Sequence, residues 1–146
     1  MKSILENKAY LYLICLLLGI TTSFSLPPYN FAFINFLTLP TLLYILINYA
    51  YKKIISFFIG WVFGFGYFIS NLYWITNSLT FDVNFKFIIP FALILIPLFL
   101  GIFYGLVTFL CNFFNLKNKI SSILIFSIIF GGIEFLRSFI FGGFPW

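Results

Sequence analysis

The sequence contains no histidine, a single arginine and three acidic residues, and only 8% of its 146 positions are charged. A soluble domain carries about a quarter charged residues, so this complement cannot cover a folded surface in water. A soluble globular protein is thereby excluded. Cysteine is scarce too: Cys15 and Cys111 stand in separate apolar runs with no CxxC spacing. With histidine absent, disulfide scaffolds, zinc centres and Cys–His chemistry lose support, and no cofactor or metal site is expected. The net charge of +5 comes from lysines scattered between apolar runs instead of gathered on one basic face, which argues against nucleic-acid binding.

What is abundant is apolar and aromatic side chain, 63% and 25% of the chain. Charge-free runs extend from Ala9 to Tyr51, from Ile54 to Phe81 and from Phe87 to Leu116, each longer than the roughly 20 residues that span a bilayer core. The first run is long enough for two helices, and Pro27-Pro28-Tyr29-Asn30 breaks it, because proline lacks a backbone donor and disfavours helix at its predecessor. Lys52-Lys53, the polar stretch Thr76 to Lys86, and Asn115-Leu116-Lys117-Asn118-Lys119 supply three more breaks. The expectation is an all-α membrane protein, a single transmembrane domain over 1–146 with five spans near 9–25, 31–51, 54–75, 87–112 and 120–141. Tyr73-Trp74 suits an interfacial belt, and Pro97 suggests a kink in the fourth span.

If consecutive spans alternate in direction, Lys2, Lys8, Lys52, Lys53, Lys117 and Lys119 fall on one face and only Lys86 and Arg137 on the other. Six cations against two place the amino terminus inside and the carboxyl terminus outside. A second reading makes Met1 to about Ser25 a cleaved signal peptide, with Lys2 and Lys8 as its basic region, although Glu6 is atypical there.

Within the apolar spans, Glu134 and Arg137 lie three positions apart on one helix face. Lys119 to Glu134 rises about 22 Å as helix, which sets the pair in the outer part of the bilayer. It can be a mutually neutralised pair snorkelling to the interface, or the polar wall of an outward-facing cleft in which the Arg137 fork holds a phosphate or carboxylate. Spacing does not separate these. Gly60 and Gly64, and Gly101 and Gly105, form two GxxxG strips that suit close helix packing. Trp61, Phe63, Phe65, Tyr67 and Phe68 around them read as lipid-facing or packing aromatics. Phe141-Gly142-Gly143-Phe144-Pro145-Trp146 leaves the last helix at interface depth. No general base stands beside a nucleophile, so no catalytic constellation is visible.

Taken in order, these motifs resemble the membrane portion of bacterial apolipoprotein N-acyltransferases. Ser25-Leu26-Pro27-Pro28-Tyr29 is similar to that family's S-x-P-P-[FY] turn. Gly60-Trp61-Val62-Phe63-Gly64-Phe65-Gly66-Tyr67-Phe68 and Tyr73-Trp74-Ile75 resemble its G-W-x-F-G-x-G-x-F and Y-W-[IV] elements. Glu134-Phe135-Leu136-Arg137 and Gly143-Phe144-Pro145-Trp146 match its E-[FW]-L-R and G-F-P-W.

The resemblance implies an inner-membrane acyltransferase that moves an acyl chain from phospholipid to the amino group of a lipoprotein's diacylglyceryl cysteine. In the family the chemistry belongs to a Glu-Lys-Cys triad in an external nitrilase-like domain, which this sequence does not include; neither Cys15 nor Cys111 replaces it. The implied substrate-binding residues are Glu134, Arg137, Phe144, Pro145 and Trp146. The implied partners are the bilayer, phospholipid, a diacylated lipoprotein and a second polypeptide carrying the nitrilase-like domain. Alone, the chain is expected to be catalytically silent, as a split-gene product, a decayed remnant or part of a longer record; the rival is a non-enzymatic lipid-binding scaffold. The cation count yields a direct test: reporters fused at Met1 and at Trp146 should signal from opposite sides of the membrane, and two internal signals would defeat the five-span topology.

Overall fold

A computed structural model describes residues 7–72, 87, 89–114, 116 and 119–140, and every regular element among them is helical. The helices are α1 (Lys8–Ser23), α2 (Asn35–Tyr49, preceded by the 3-10 turn Ala32–Ile34), α3 (Lys53–Asn71), α4 (Ile89–Cys111) and α5 (Lys119–Ile140). Pro27-Pro28-Tyr29-Asn30 falls between helices, and Lys53 and Lys119 each open one; the Thr76 to Lys86 stretch and Tyr73-Trp74 lie outside the described residues. Among the described residues four helices, counting the 3-10 turn with α2, are long and apolar enough to cross a membrane. The first is shorter, at sixteen residues, or about 24 Å of rise.

Local chemistry fixes the helix ends. Asn7 caps α1 by accepting from the Ala9 amide at 3.0 Å, as short polar side chains do at an N-cap. At the other end the hydroxyls of Thr21, Thr22 and Ser23 donate back to the carbonyls of Leu17, Leu18 and Ile20 at 2.7–2.8 Å, which hides them from an apolar surrounding. The chain then turns through Pro27-Pro28 and Asn30, whose φ of 56° is left-handed, a region asparagine tolerates better than most residues. The Phe31 amide donates to the Phe24 carbonyl at 3.0 Å and closes the turn. Phe24, Tyr29, Phe31 and Phe33 stack in sequence along it, with centroids 5.0–6.4 Å apart. The helical assignment of α4 runs without interruption across Pro97, and that of α2 across Pro40.

The bundle is organised around α3, which lies between α1 and α4. Glycines set both contacts. On one side Gly19 of α1 abuts the Phe63 carbonyl, and Gly66 of α3 abuts the Leu16 carbonyl. On the other, Gly60 meets the backbone of Tyr104 and the hydroxyl of Thr108, while a Cβ on Gly64 would stand 2.9 Å from the Gly101 Cα. Lipid tails are as apolar as leucine, so helices in a bilayer associate through close packing and interhelical hydrogen bonds. Both occur at this seam. The Ser56 hydroxyl donates to the Thr108 carbonyl, and the Thr108 hydroxyl donates back to the Ser56 carbonyl at 2.7 Å. The Trp61 indole donates to the Leu98 carbonyl at 2.9 Å. Phe63 and Phe68 are fully buried, so these two of the expected aromatics pack inside and do not face lipid.

At the Lys53 end, the Asn112 amide donates to the Ala50 carbonyl at 3.0 Å and ties α4 to the end of α2. The Lys53 ammonium sits 3.5 Å from the centroid of the Phe113 ring, within cation–π range. α5 is the loosest member: 11% of its span is buried, against 39% for α3 and for α4. Phe36, Ile128, Phe135 and Phe139 project outward almost fully exposed, a surface that suits lipid and not water.

The glycine seam generates a prediction about stability. Gly64→Ala should destabilise the bundle by about 1–3 kcal/mol, because the added methyl meets backbone that cannot yield. Gly132→Ala, where a Cβ meets nothing within 4 Å, should stay within about 0.5 kcal/mol of the parent. Unfolding in mixed micelles by titration with dodecyl sulfate measures both. Equal effects would remove the seam from its organising role. Ser56→Ala should cost about 0.6–1.7 kcal/mol in the same assay, the range for interhelical hydrogen bonds in lipid.

Candidate functional site

The two charged side chains expected on one face of the last helix do meet. The Arg137 guanidinium lies 2.5 Å from the Glu134 carboxylate, within a single turn of α5. Arg137 is only 5% exposed, whereas the Glu134 side chain keeps 30% of its surface open. The guanidinium carbon sits 5.2 Å over the ring of Phe68 from α3. Planar, weakly hydrated guanidinium stacks well on such a face. A lone charge in a span costs about 2.5–3.5 kcal/mol on insertion scales; pairing and stacking offset part of that cost.

The pair extends into a network that sequence reasoning missed. Tyr67 and Tyr104 both lie within electrostatic reach of Glu134 and Arg137, and their rings stand 5.6 Å apart between centroids. Three helices therefore contribute: α3 gives Tyr67 and the Phe68 ring, α4 gives Tyr104, and α5 gives the ion pair. Tyr104 is 5% exposed and sits among the rings of Phe63, Tyr67, Phe68 and Phe130 at 5.3–5.7 Å between centroids. That aromatic box is built from edge-on and tilted contacts and holds the Tyr104 ring in place. The signal available in the sequence was a tyrosine beside a glycine seam, in Gly101-x-x-Tyr104-Gly105 and Gly64-x-Gly66-Tyr67. A hydroxyl beside a close helix contact has to find a partner there, but only the fold reveals which.

Chemically, the arrangement can bind and orient. It offers a cation whose direction is fixed by a carboxylate on its own helix and by the ring of Phe68. It offers no nucleophile: Cys15 and Cys111 are free, fully buried thiols on α1 and α4, in apolar surroundings where thiols are inert. Among the described residues no three His, Cys, Asp or Glu side chains come together to hold a metal ion. Phe144, Pro145 and Trp146, the remaining site residues expected from the sequence, lie outside the described residues.

Comparison with known proteins bears on the whole of this region. A family model described as the apolipoprotein N-acyltransferase N-terminal domain matches residues 18–146. The apolipoprotein N-acyltransferase of Rhizobium rhizogenes is 34% identical over 143 residues, covering 92% of this chain and 27% of its own length. That of Brucella melitensis is 33% identical, covering 88% of this chain and 26% of its own length, and that of Rhizobium etli is 38% identical over 84% of this chain and 24% of its own. The chain spans about a quarter of the length of these curated relatives. With the match beginning inside α1 and taking in every helix that follows, including both halves of the Glu134–Arg137 pair, this chain belongs to the apolipoprotein N-acyltransferase N-terminal domain family.

Proposed function

We propose that this chain is the membrane portion of an apolipoprotein N-acyltransferase of a bacterial inner membrane, and that it positions phospholipid and the diacylglyceryl cysteine of a lipoprotein for acyl transfer. The observation that carries the reading is the ion pair of the buried Arg137 with the partly open Glu134, seated on the Phe68 ring and within the span of the family match. In this reading the amino terminus is inside, and the Arg137 end of the bundle lies at the depth of the outer head groups. Arg137 accommodates a phosphate or acyl oxygen with its planar fork. Glu134 holds the fork in place from one side and the Phe68 ring from the other. Phe144, Pro145 and Trp146 complete the rim.

Covalent chemistry is then supplied by the Glu-Lys-Cys centre of a nitrilase-like domain outside these 146 residues. Such a centre divides acyl transfer into formation and aminolysis of a thioester. What the membrane portion adds is orientation: a lipid held at the right depth presents its ester to a nucleophile without the entropy of an encounter. The chain itself is silent until that domain is present.

Two experiments check this. In cells depleted of their own N-acyltransferase, mass spectrometry of a lipoprotein amino terminus should show triacylation only when this chain is expressed together with a nitrilase-like partner. Triacylation by the chain alone would overturn the division of labour, and diacylated product in both cases would favour the lipid-binding scaffold. Separately, Arg137→Ala should weaken phospholipid binding about tenfold, the equivalent of one charge-assisted hydrogen bond at roughly 1.5 kcal/mol. Arg137→Lys should retain part of the affinity, because lysine keeps the charge and loses the fork. Equal binding by all three proteins would leave Arg137 with a purely structural role.

A further inference from the structure

Packing explains most of the glycines in the described helices: a Cβ on Gly19, Gly60, Gly64, Gly66, Gly101 or Gly105 would meet another helix at 3.0 Å or less. Gly131 and Gly132 are different. A Cβ on either meets nothing within 4 Å, and both residues are exposed. Adjacent glycines in the middle of a helix loosen it, because each lacks the Cβ that restricts the backbone and gives up the most conformational freedom on ordering. Small-residue pairs of this kind are among the places where helices bend.

The pair divides α5 into two parts that are held differently. Towards Lys119, Ser122 and Phe126 are buried and the Phe130 ring stands edge-on to Tyr104 of α4 at 5.3 Å, so this part is fastened to the glycine seam. Among residues 133–140 Arg137 alone is buried, with Ile133 partly buried against the core. Phe135 and Phe139 are 75% and 78% exposed. Arg137 meets α3 through the Phe68 ring, 5.2 Å from its guanidinium carbon. Glu134 and Arg137 both lie beyond the glycines and are joined within one turn, so a bend at Gly131–Gly132 carries the ion pair as a unit and changes where it sits against α3. At 5% exposure the guanidinium is covered, and a binding role requires that it be uncovered.

We propose that Gly131–Gly132 is a hinge and the Arg137–Phe68 contact its latch. With the latch closed the guanidinium is stacked and covered; with the outer end of α5 swung away from α3, its face is open to an anionic oxygen. That use of the open form rests on the functional reading above, whereas the motion itself does not. Because Glu134 travels with Arg137, the cation does not enter the open state unpaired, which a bilayer would penalise. A ring–cation contact is modest in strength, so the open form is a minor population that the protein reaches unaided, about 0.1–10% of molecules.

Arg137 is the only arginine in the sequence, so isotope-labelled arginine gives a magnetic-resonance signal that needs no assignment. The intact chain is studied in maltoside micelles, which hold neither phosphate nor substrate, so failure of the hinge and failure of the functional reading are separable. In the parent protein the Arg137 side-chain resonances should carry the ring-current shift of Phe68 and show microsecond-to-millisecond exchange by relaxation dispersion. The minor state's shift should match that of Phe68→Leu, from which the ring is gone. Gly131→Ala/Gly132→Ala adds methyl groups where there is room; it should keep the main shift and reduce the exchange contribution several-fold. An absence of exchange in the parent overturns the proposal and leaves the glycine pair to packing against another helix. Exchange of unchanged size in the double variant overturns the hinge, and exchange toward a shift unlike that of Phe68→Leu overturns the latch. Should the double variant fail to fold, Gly132→Ala, expected to keep the parent's stability, takes its place.

Discussion

The whole arrangement depends on how closely α3 and α4 can approach. At Gly60, Gly64 and Gly101 the two backbones come into direct contact, and that distance is what allows Ser56 and Thr108 to exchange hydrogen bonds and Trp61 to reach the Leu98 carbonyl. It also sets where Tyr104 stands. Between glycine-packed backbones the ring goes among Phe63, Tyr67, Phe68 and Phe130, and Phe68 in turn carries the Arg137 guanidinium. A polar site inside a bilayer is thus built from residues with no polarity at all, by controlling the separation of two helices.

This division of labour suits the solvent. In water a core is driven together by the exclusion of apolar surface; in lipid that drive is missing and shape has to replace it. The α1–α3–α4 layer uses shape. α5 adds to it with rings and with one ionic network, and leaves most of its surface to the bilayer. The packed layer and the loosely attached helix are therefore different in kind: one is a scaffold, and the other presents chemistry against it.

Much of the architecture was legible in the sequence for reasons that are easy to state. Charge in a span is expensive, so the positions of Lys52-Lys53 and of Lys119 mark helix starts to within a residue or two. Pro27-Pro28 marks the first turn because no other local residue removes a backbone donor. The GxxxG strips announced close packing, and the structure places them opposite each other. The Glu134–Arg137 contact followed from helical periodicity. What could not be read was the role of tyrosine. In a 25% aromatic chain Tyr67 and Tyr104 look like the phenylalanines around them, and their place beside the ion pair follows only from helices thirty or more positions apart.

One consequence of the network concerns the order in which the molecule comes into being. Helices enter the membrane in the sequence in which they are synthesised, and α5 follows α3 and α4. α5 carries its own ion pair into lipid, but the ring on which the guanidinium stacks sits on α3. That part of the charge's surroundings is therefore supplied only as α5 packs against helices made before it.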